Sequence, residues 1–255
     1  MTTKQALYVS GLNVSFGNFA VLKNLSWTVD FGEVRGVIGP NGAGKTTLLD
    51  SLTGKTRYQS GDIYVKDTVS IKNLTEIEIA KLGIGRKFQK PSVFSGLSGF
   101  QNLEIALRAG HSRSIYQPKL TSRQREKIHE TSELIGLSSE LSRNAGTLAH
   151  GQKQWLEIGM LIIAEPSVIL LDEPVAGMNS EERGKTAELI SNIRGPNIAV
   201  VVVEHDMEFV GQVCDTVTVL HDGRVMIEGP MGVVQADPQV IDVYLGKEAA
   251  SASSH

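Results

Sequence analysis

The segment GPNGAGKTT, residues 39–47, has the residue types and the spacing of a phosphate-binding loop. Gly39, Gly44, Lys45 and Thr46 match the pattern G-x-x-x-x-G-K-[ST]. Glycines let consecutive backbone N–H groups turn toward phosphate oxygens, and the N-terminus of a following helix adds partial positive charge. We expect Lys45 to reach the β- and γ-phosphates of a nucleotide and the Thr46 hydroxyl to ligate Mg²⁺.

Two neighbouring carboxylates, Asp172 and Glu173, come directly after the apolar run Val168 to Leu171. Ligands of open α/β sheets bind at the carboxyl ends of parallel strands, so these acids are expected beside the phosphate loop. Asp172 can hold the Mg²⁺ shell, largely through water, and Glu173 can polarise an attacking water. The alternative is a pair of solvated carboxylates at a strand end, which the presence of the phosphate loop disfavours.

Two further polar residues follow strand-like segments. His205 comes after the apolar run Ile198 to Val203, where it could hydrogen-bond the γ-phosphate and fix the water. Gln89 ends the extended segment that begins at Gly83, and its neutral amide could contact Mg²⁺ or water. Position alone leaves the role of Gln89 open.

Composition bounds the class of protein. The chain has 255 residues, a net charge of −3 and 41% hydrophobic residues, which suits one large α/β domain or two small ones. The net charge is mildly acidic, whereas proteins that bind nucleic acid are typically basic, so the composition does not indicate nucleic-acid binding. The single cysteine, Cys214, is expected to be a small buried hydrophobic residue. The longest aliphatic run is too short to span a bilayer, so a membrane process would require other chains.

Strand-like and helix-like segments alternate around the phosphate loop. The first half of the chain is predicted to form short strands over 6–36, a helix at 45–52, a hairpin at 61–71 with its turn at Lys66-Asp67, and a helix capped by Thr121 and Gln124. The second half is predicted to form a helix from Gly151 to Ala164, a helix at 180–193, and strands at 168–171, 198–203 and 217–220. This order favours a mostly parallel sheet with helices on both faces.

The pentapeptide Leu148-Ala149-His150-Gly151-Gln152 lies between the helical segment and the acidic strand. It is predicted to start a helix, whose first N–H groups and dipole can face a phosphate. Together with the phosphate loop, Gln89, the acidic pair and His205, in that order, it resembles the motifs of ABC-transporter ATP-binding cassettes. The resemblance covers nearly the whole chain.

The resemblance implies roles for individual residues. GPNGAGKTT is similar to the Walker A loop, Gln89 to the Q-loop, Leu148–Gln152 to the signature, Asp172-Glu173 to the Walker B pair and Ala176–Asn179 to the D-loop. His205 is similar to the switch histidine, which with Glu173 and Lys45 makes the expected catalytic set. The expected Mg²⁺ contacts are Thr46, Gln89 and Asp172. The expected ATP contacts are Phe16, Gly39, Pro40, Asn41, Gly42, Ala43, Gly44, Lys45, Thr46, Thr47, Gln89, Leu148, Ala149, His150, Gly151 and Gln152.

The resemblance also implies the architecture: a P-loop NTPase cassette of the α/β class with a RecA-like core. It predicts one ATP-binding domain over 1–248. An antiparallel β subdomain is expected at about 6–36 and 60–72, and an α-helical subdomain at about 91–150. Residues 249–255 are expected to be a flexible tail.

Family membership further implies partners and location. Two cassettes pair head to tail, as a homodimer or a heterodimer, so that each ATP lies between one phosphate loop and the other chain's signature. The expected partners are a second cassette, membrane permease subunits that dock near residues 89–147 and, indirectly, a substrate-binding protein; no nucleic acid is expected. The expected location is cytoplasmic, on the inner face of the plasma membrane.

Three residues depart from the family pattern. The usual signature is LSGGQ, whereas this chain has Ala149 for the serine and His150 for the first glycine. Ala149 has no hydroxyl to offer a phosphate, so backbone N–H groups and Gly151 would have to make that contact. Asn179 stands in the D-loop where many members have Asp, which lowers the charge there.

A finer resemblance concerns the transported substrate. HGQKQWLEIGMLI, LLDEPVAGM, VVVEHDMEFV and QADPQVIDVYLG are similar to ATP-binding subunits of urea importers, which belong to the wider branched-chain and hydrophobic amino-acid uptake group. The expected function is the ATP-hydrolysing subunit of a bacterial importer for urea or short amides. The alternatives are a branched-chain amino-acid importer, a lipid-export cassette, a soluble ABC ATPase outside transport and a phosphate-loop kinase or GTPase.

Overall fold

The structure is a computed structural model that describes residues 5–87, 92–110 and 119–244. Four strands of this part of the chain form an antiparallel sheet in the order β2-β1-β4-β5. They are β1 (Gln5–Phe16), β2 (Phe19–Asp30), β4 (Ser60–Val65) and β5 (Val69–Ser70). Lys66 and Asp67 both have positive φ, 52° and 64°, and lie in the three-residue loop 66–68 between the paired residues Val65 and Val69. The predicted hairpin is confirmed.

A second sheet has six strands in the order β10-β9-β3-β8-β7-β6, and β10 alone is antiparallel to its neighbour. These strands are β3 (Val34–Ile38), β6 (Ile84–Lys87), β7 (Val168–Asp172), β8 (Ala199–Val203), β9 (Thr216–His221) and β10 (Arg224–Gly229). Strands β3, β7 and β8 are buried at every residue, as expected of a parallel sheet covered on both faces. The prediction of a mostly parallel sheet is confirmed.

The helices predicted at 45–52, after Thr121, from Gly151 and at 180–193 begin and end close to the predicted positions, whereas the helices at 76–81, 207–213 and 231–236 were not predicted. The helices are α1 (Lys45–Leu52), α2 (Glu76–Lys81), α3 (Gly99–Gly110), α4 (Ser122–Leu134), α5 (His150–Ile163), α6 (Ser180–Ile193), α7 (Met207–Val213) and α8 (Met231–Ala236). Thr121 caps α4 by accepting a 3.2 Å hydrogen bond from the Gln124 N–H, which confirms the capping box. Helix α5 begins at His150, one residue before the predicted Gly151. No helix in the described part of the chain is long and apolar enough to cross a bilayer.

Strand β7 separates two hydrophobic cores. Val168 and Leu170 pack toward the antiparallel sheet and α1, whereas Ile169 and Leu171 pack toward the helices α3 to α6. This alternation follows from the period of two in a strand and fixes which way Asp172 can point when β7 ends. The sheet therefore holds its polar strand ends between two apolar layers.

The predicted subdomain boundaries stay a prediction. β1, β2, β4 and β5 come from residues inside or beside 6–36 and 60–72, although β3, which starts at Val34, pairs in the six-stranded sheet. Between 92 and 150 the described residues form α3, α4 and two short 3₁₀ helices. The predicted tail, 249–255, lies outside the described residues.

We predict that Cys214 will resist thiol reagents in the native protein. The residue is only partly buried rather than fully buried as expected, but its sulfur packs beside Gly36, where an added Cβ would lie 3.1 Å from Sγ, and desolvation raises the pKa of the Cys214 thiol to about 12. The reactive thiolate is therefore roughly a thousandfold scarcer than in the unfolded chain between pH 7 and 9. Labelling with a chromogenic disulfide at pH 8, with and without denaturant, measures this. Equal rates in both states would contradict the assigned burial.

Candidate active site

Three parallel strands bring the predicted chemical groups to one edge of the six-stranded sheet. In the ladder Val37 of β3 pairs with Val203 of β8, and Val203 pairs with Asp172 of β7. The Glu173 N–H extends the ladder with a 2.9 Å hydrogen bond to the Val203 carbonyl. The chain leaves all three strands at the same level, so the phosphate loop, the acidic pair and His205 emerge side by side.

The conformation of the phosphate loop depends on glycine at its first position and at the start of α1. Gly39 has a φ of 148°, and a Cβ there would lie 2.1 Å from the Leu220 carbonyl oxygen. Gly44 has a φ of 105° and is the N-cap residue of α1. Because glycine has no side chain to cap the helix, the first N–H groups of α1 are available to an anion.

A cavity of about 290 Å³ lies over this edge of the sheet. The residues that line it are Phe19, Val21, Asn41, Gly42, Ala43, Gly44, Lys45, Thr46, Thr47, Asp172, Glu173, Val203 and His205. The cavity therefore brings together most of the predicted phosphate loop, both acidic residues and the histidine. Gly39 and Pro40 lie next to it, at the start of the same loop.

The Lys45 ammonium is folded back over the phosphate loop. Its Nζ donates hydrogen bonds to the carbonyl oxygens of Gly39 (2.6 Å) and Pro40 (3.1 Å), and the residue is only 7% exposed. These bonds place a positive charge inside the loop, where phosphate oxygens would be held. An ammonium has three donors, so Lys45 can exchange loop carbonyls for phosphate oxygens as a nucleotide enters.

Asp172 is buried, with 2% exposure, and is held by an ion pair. Its Oδ2 accepts a 2.8 Å hydrogen bond from Arg86 Nη2, while its Oδ1 is buried without a hydrogen-bond partner among the described residues. An unpartnered buried carboxylate oxygen beside the exposed Thr46 fits the oxygen ligands that Mg²⁺ prefers. These two residues therefore suit a hydrated magnesium ion. Gln89, the third predicted metal contact, lies outside the described residues.

Glu173 and His205 contact each other across the cavity. His205 Nε2 lies 3.4 Å from Glu173 Oε1, and both side chains are partly exposed. Glu173 has a φ of 48°, an unusual conformation for a residue with a side chain, which turns it out of the strand direction. A carboxylate and an imidazole in contact can share the orientation and polarisation of one water.

Glu204 is a buried acid at the site that the sequence analysis did not identify. Its Oε1 accepts a 3.0 Å hydrogen bond from the Val175 N–H, and its Oε2 accepts one of 3.0 Å from the His205 N–H. Burial raises the pKa of the Glu204 carboxyl, and these N–H donors oppose that rise. Glu204 thereby ties the segment after Glu173 to the segment that carries His205.

The end of β6 contributes two buried cations, Arg86 and Lys87, that the sequence analysis also missed. Lys87 is 0% exposed, and burial lowers the pKa of its ammonium, while Glu157 and Asp172 oppose that shift. The available signal was the pair of charges at the end of a short strand just before Gln89, because a charged residue that is buried in a parallel sheet needs a buried partner.

Two aromatic residues stand at the tip of the β1–β2 hairpin. Phe16 and Phe19 form a cross-strand pair and are 56% and 69% exposed. Phe19 lines the cavity, whereas Phe16 lies outside its lining. Contact of Phe16 with ATP stays a prediction, and Phe19, which lines the cavity, is a second aromatic residue on which a nucleotide base could stack.

The signature lies away from the cavity, at the N-terminus of α5. Ala149 is the N-cap residue, and its N–H donates a 3.0 Å hydrogen bond to Gln152 Oε1. The His150 ring reaches the D-loop, with Nε2 3.1 Å from the Ala176 carbonyl oxygen. A Cβ on Gly151 would lie 2.5 Å from Glu182 Oε1, so this position packs tightly against α6. Leu148 is buried beneath the helix start.

Asn179, the unusual D-loop residue, is the N-cap of α6. Its Oδ1 accepts a 2.9 Å hydrogen bond from the Glu182 N–H, and Glu182 Oε2 accepts one of 3.0 Å from the Asn179 N–H. Asparagine is as good an N-cap as aspartate, so the substitution keeps the start of α6 while it removes a negative charge.

Known proteins similar to this chain are ATP-binding proteins of transport systems. The ABC transporter family profile matches residues 22–176, and a profile described as branched-chain amino acid ATP-binding cassette transporter matches residues 224–250. The chain is 33% identical to BraF of Pseudomonas aeruginosa, a high-affinity branched-chain amino acid transport ATP-binding protein, over 96% of this chain and 99% of the relative. It is 30% identical to the lipopolysaccharide export system ATP-binding protein LptB of Acidithiobacillus ferridurans, over 96% and 98%.

Solved structures agree with this picture. The ADP conformation of MJ1267, an ATP-binding cassette of an ABC transporter, superimposes with a TM-score of 0.84 at 28% identity and covers 96% of this chain and 100% of that one. The fold class predicted from the sequence, an ABC cassette with mixed α/β sheets and helices, is thereby confirmed. The family profile, the relatives and the fold establish that this chain belongs to the ATP-binding cassettes of ABC transporters and is an ATPase of that family.

Proposed function

We propose that this chain powers an ABC importer by hydrolysing Mg-ATP at the cavity formed by the phosphate loop, Asp172, Glu173 and His205. The observation that carries the proposal is the convergence of these groups at one edge of the sheet, with Glu173 in contact with His205 and one oxygen of Asp172 lacking a partner among the described residues. Each group has a role that its chemistry supports.

The first role is to bind and orient the triphosphate. N–H groups at the start of α1 and the Lys45 ammonium surround the phosphates. Thr46 and Asp172 would hold magnesium, and Gln89, which lies outside the described residues, is proposed as a third contact. A bound magnesium ion supplies charge neutralisation at the β- and γ-phosphate oxygens.

The second role is to prepare the water. The Glu173 carboxylate polarises a water that lies in line with the γ-phosphate, and His205 holds both the water and a γ-phosphate oxygen. Glu204 keeps this geometry because it hydrogen-bonds the backbone of Val175 and His205 together. Phosphoryl transfer demands little covalent chemistry from a protein, so positioning and electrostatics supply most of the catalysis.

We also propose that a second cassette completes the site. The signature residues 148–152 do not line the cavity of their own chain, yet they present a helix N-terminus. A helix N-terminus in this position suits an ATP that is bound in the phosphate loop of the second cassette. Residues 149–151 would then lie against the γ-phosphate of that ATP. The chain would then work on membrane permease subunits at the inner face of the membrane, with a binding protein delivering the substrate.

For the transported substrate we propose a branched-chain or other hydrophobic amino acid. The match of residues 224–250 to a profile of that substrate class and the identity with BraF support this alternative better than the urea importer, for which the comparisons give no specific support. The 30% identity with LptB favours lipid export as the second candidate. The cassette does not contact the substrate, so transport measurements must decide.

Replacement of Glu173 by Gln is expected to lower turnover roughly 10²- to 10⁴-fold, because an amide cannot polarise the water as a carboxylate does. ATP binding should persist, and the ATP-bound dimer should accumulate in size-exclusion chromatography. Glu181→Gln is the matched control, because Glu181 is an exposed acid paired with Lys185 on α6. Undiminished turnover in Glu173→Gln would remove Glu173 from the proposed role.

Deletion of the gene in its own host is expected to abolish uptake of labelled leucine and to leave uptake of labelled urea unchanged. Wild-type protein should restore leucine uptake and the Glu173→Gln variant should not. Loss of urea uptake with normal leucine uptake would instead establish the urea importer. Normal uptake of both compounds, together with a defect in the lipid envelope, would favour the export candidate.

A further inference from the structure

Arg86 is a buried cation that contacts Asp172 but has no role in the mechanism proposed above. It follows Ile84 and Gly85 in β6, and its side chain is 4% exposed. Its guanidinium donates a 2.8 Å hydrogen bond through Nη2 to Asp172 Oδ2 and contacts the Asp50 carboxylate through Nη1. One side chain therefore bridges two acids from different parts of the chain.

The two acids lie on different elements, and only Asp172 lines the cavity. Asp50 lies on α1, the helix that begins at the phosphate loop, and Asp172 ends β7. β6 pairs with β7 so that Arg86 lies opposite Leu170, two residues before Asp172. The guanidinium thus links three elements, namely α1, β6 and β7, at the level of the cavity.

This ion pair fixes the orientation of the Asp172 carboxylate. A buried carboxylate without a counter-charge is costly and tends to protonate or to rotate toward another donor. The planar guanidinium holds Oδ2 in a defined direction, which leaves Oδ1 as the oxygen without a hydrogen-bond partner among the described residues. Asp172 lines the cavity, and Oδ1 is the carboxylate oxygen whose capacity to bind a cation is not taken up by a hydrogen bond among the described residues.

We propose that Arg86 is a positioning residue for magnesium: by binding Oδ2 it holds the Asp172 carboxylate with Oδ1 turned toward the metal of Mg-ATP. This inference rests on the proposed function of the site. An opposing effect exists, because the guanidinium charge repels a divalent cation. The orientation that Arg86 gives to the Asp172 carboxylate outweighs that repulsion, so removal of Arg86 weakens the metal's contribution to nucleotide binding.

The test separates metal binding from catalysis. In a Glu173→Gln background, which prevents turnover, the dissociation constant of a fluorescent ATP analogue is measured in EDTA and in Mg²⁺. The ratio of the two constants reports how much the metal strengthens binding. Arg86→Met is expected to lower this ratio roughly tenfold to hundredfold, the range typical of residues that orient metal ligands. The constant in EDTA should change little.

Matched variants control for stability and charge. Asp50→Asn removes one partner of Arg86 but keeps its bond to Asp172, so the ratio should stay near that of the parent. Arg35→Met removes a different buried arginine, which is paired with Glu33 and Glu228, and should also leave the ratio unchanged. Arg86→Lys keeps the charge but cannot bridge both acids as a planar fork, so its ratio should fall to an intermediate value.

The outcomes are distinct. An unchanged or raised ratio in folded Arg86→Met would overturn the inference and leave the proposed function intact. If Arg86→Met does not fold, Arg86→Lys decides, and an unchanged ratio there overturns the inference. Absence of any Mg²⁺ effect in the parent protein, with no Mg²⁺-dependent hydrolysis by wild type, would instead contradict the proposed function itself.

Discussion

The parallel pairing of β3, β8 and β7 is the constraint on which the site depends. Each strand is fully buried, and the ladder fixes Val37, Val203 and Asp172 at neighbouring positions. Because a one-residue shift would turn every side chain to the opposite face, the two apolar cores lock this register. The chemical groups lie close together because they follow strands that end at the same level of the sheet.

That arrangement carries an electrostatic cost, which the protein offsets with partners. Asp172 and Glu204 are nearly inaccessible acids, and Lys87 is a fully buried cation. Ionised groups in such surroundings require ion pairs or hydrogen bonds. Arg86 supplies the partner for Asp172, while the N–H groups of Val175 and His205 serve Glu204. The same contacts that make burial tolerable also orient the groups that line the cavity.

Local rules in the sequence predicted much of this structure. The phosphate loop, the acidic strand end, the Lys66-Asp67 turn and the Thr121 cap each have a short-range signature, and the alternation of strands and helices gave the sheet. The sequence did not predict the roles of Arg86, Glu204 and Phe19, because these roles depend on contacts between distant segments of the chain. Examples are the contacts of Arg86 with Asp50 and of Glu204 with Val175. Spacing along one chain does not encode such contacts. The signature lies away from the cavity of the same chain because α5 packs on α6, and this packing is also a contact between distant segments.

The central claim is that ATP is hydrolysed between two copies of the chain, with the phosphate loop of one and the signature of the other. Two variants test it directly. Lys45→Ala disables the phosphate loop. Ala149→Asp disables the signature by charge while aspartate keeps a good N-cap for α5. Each variant alone should be inactive, and an equimolar mixture should regain ATPase activity, because the mixed dimer contains one site with both halves intact. A mixture as inactive as the separate variants, with both chains folded, would contradict the shared site.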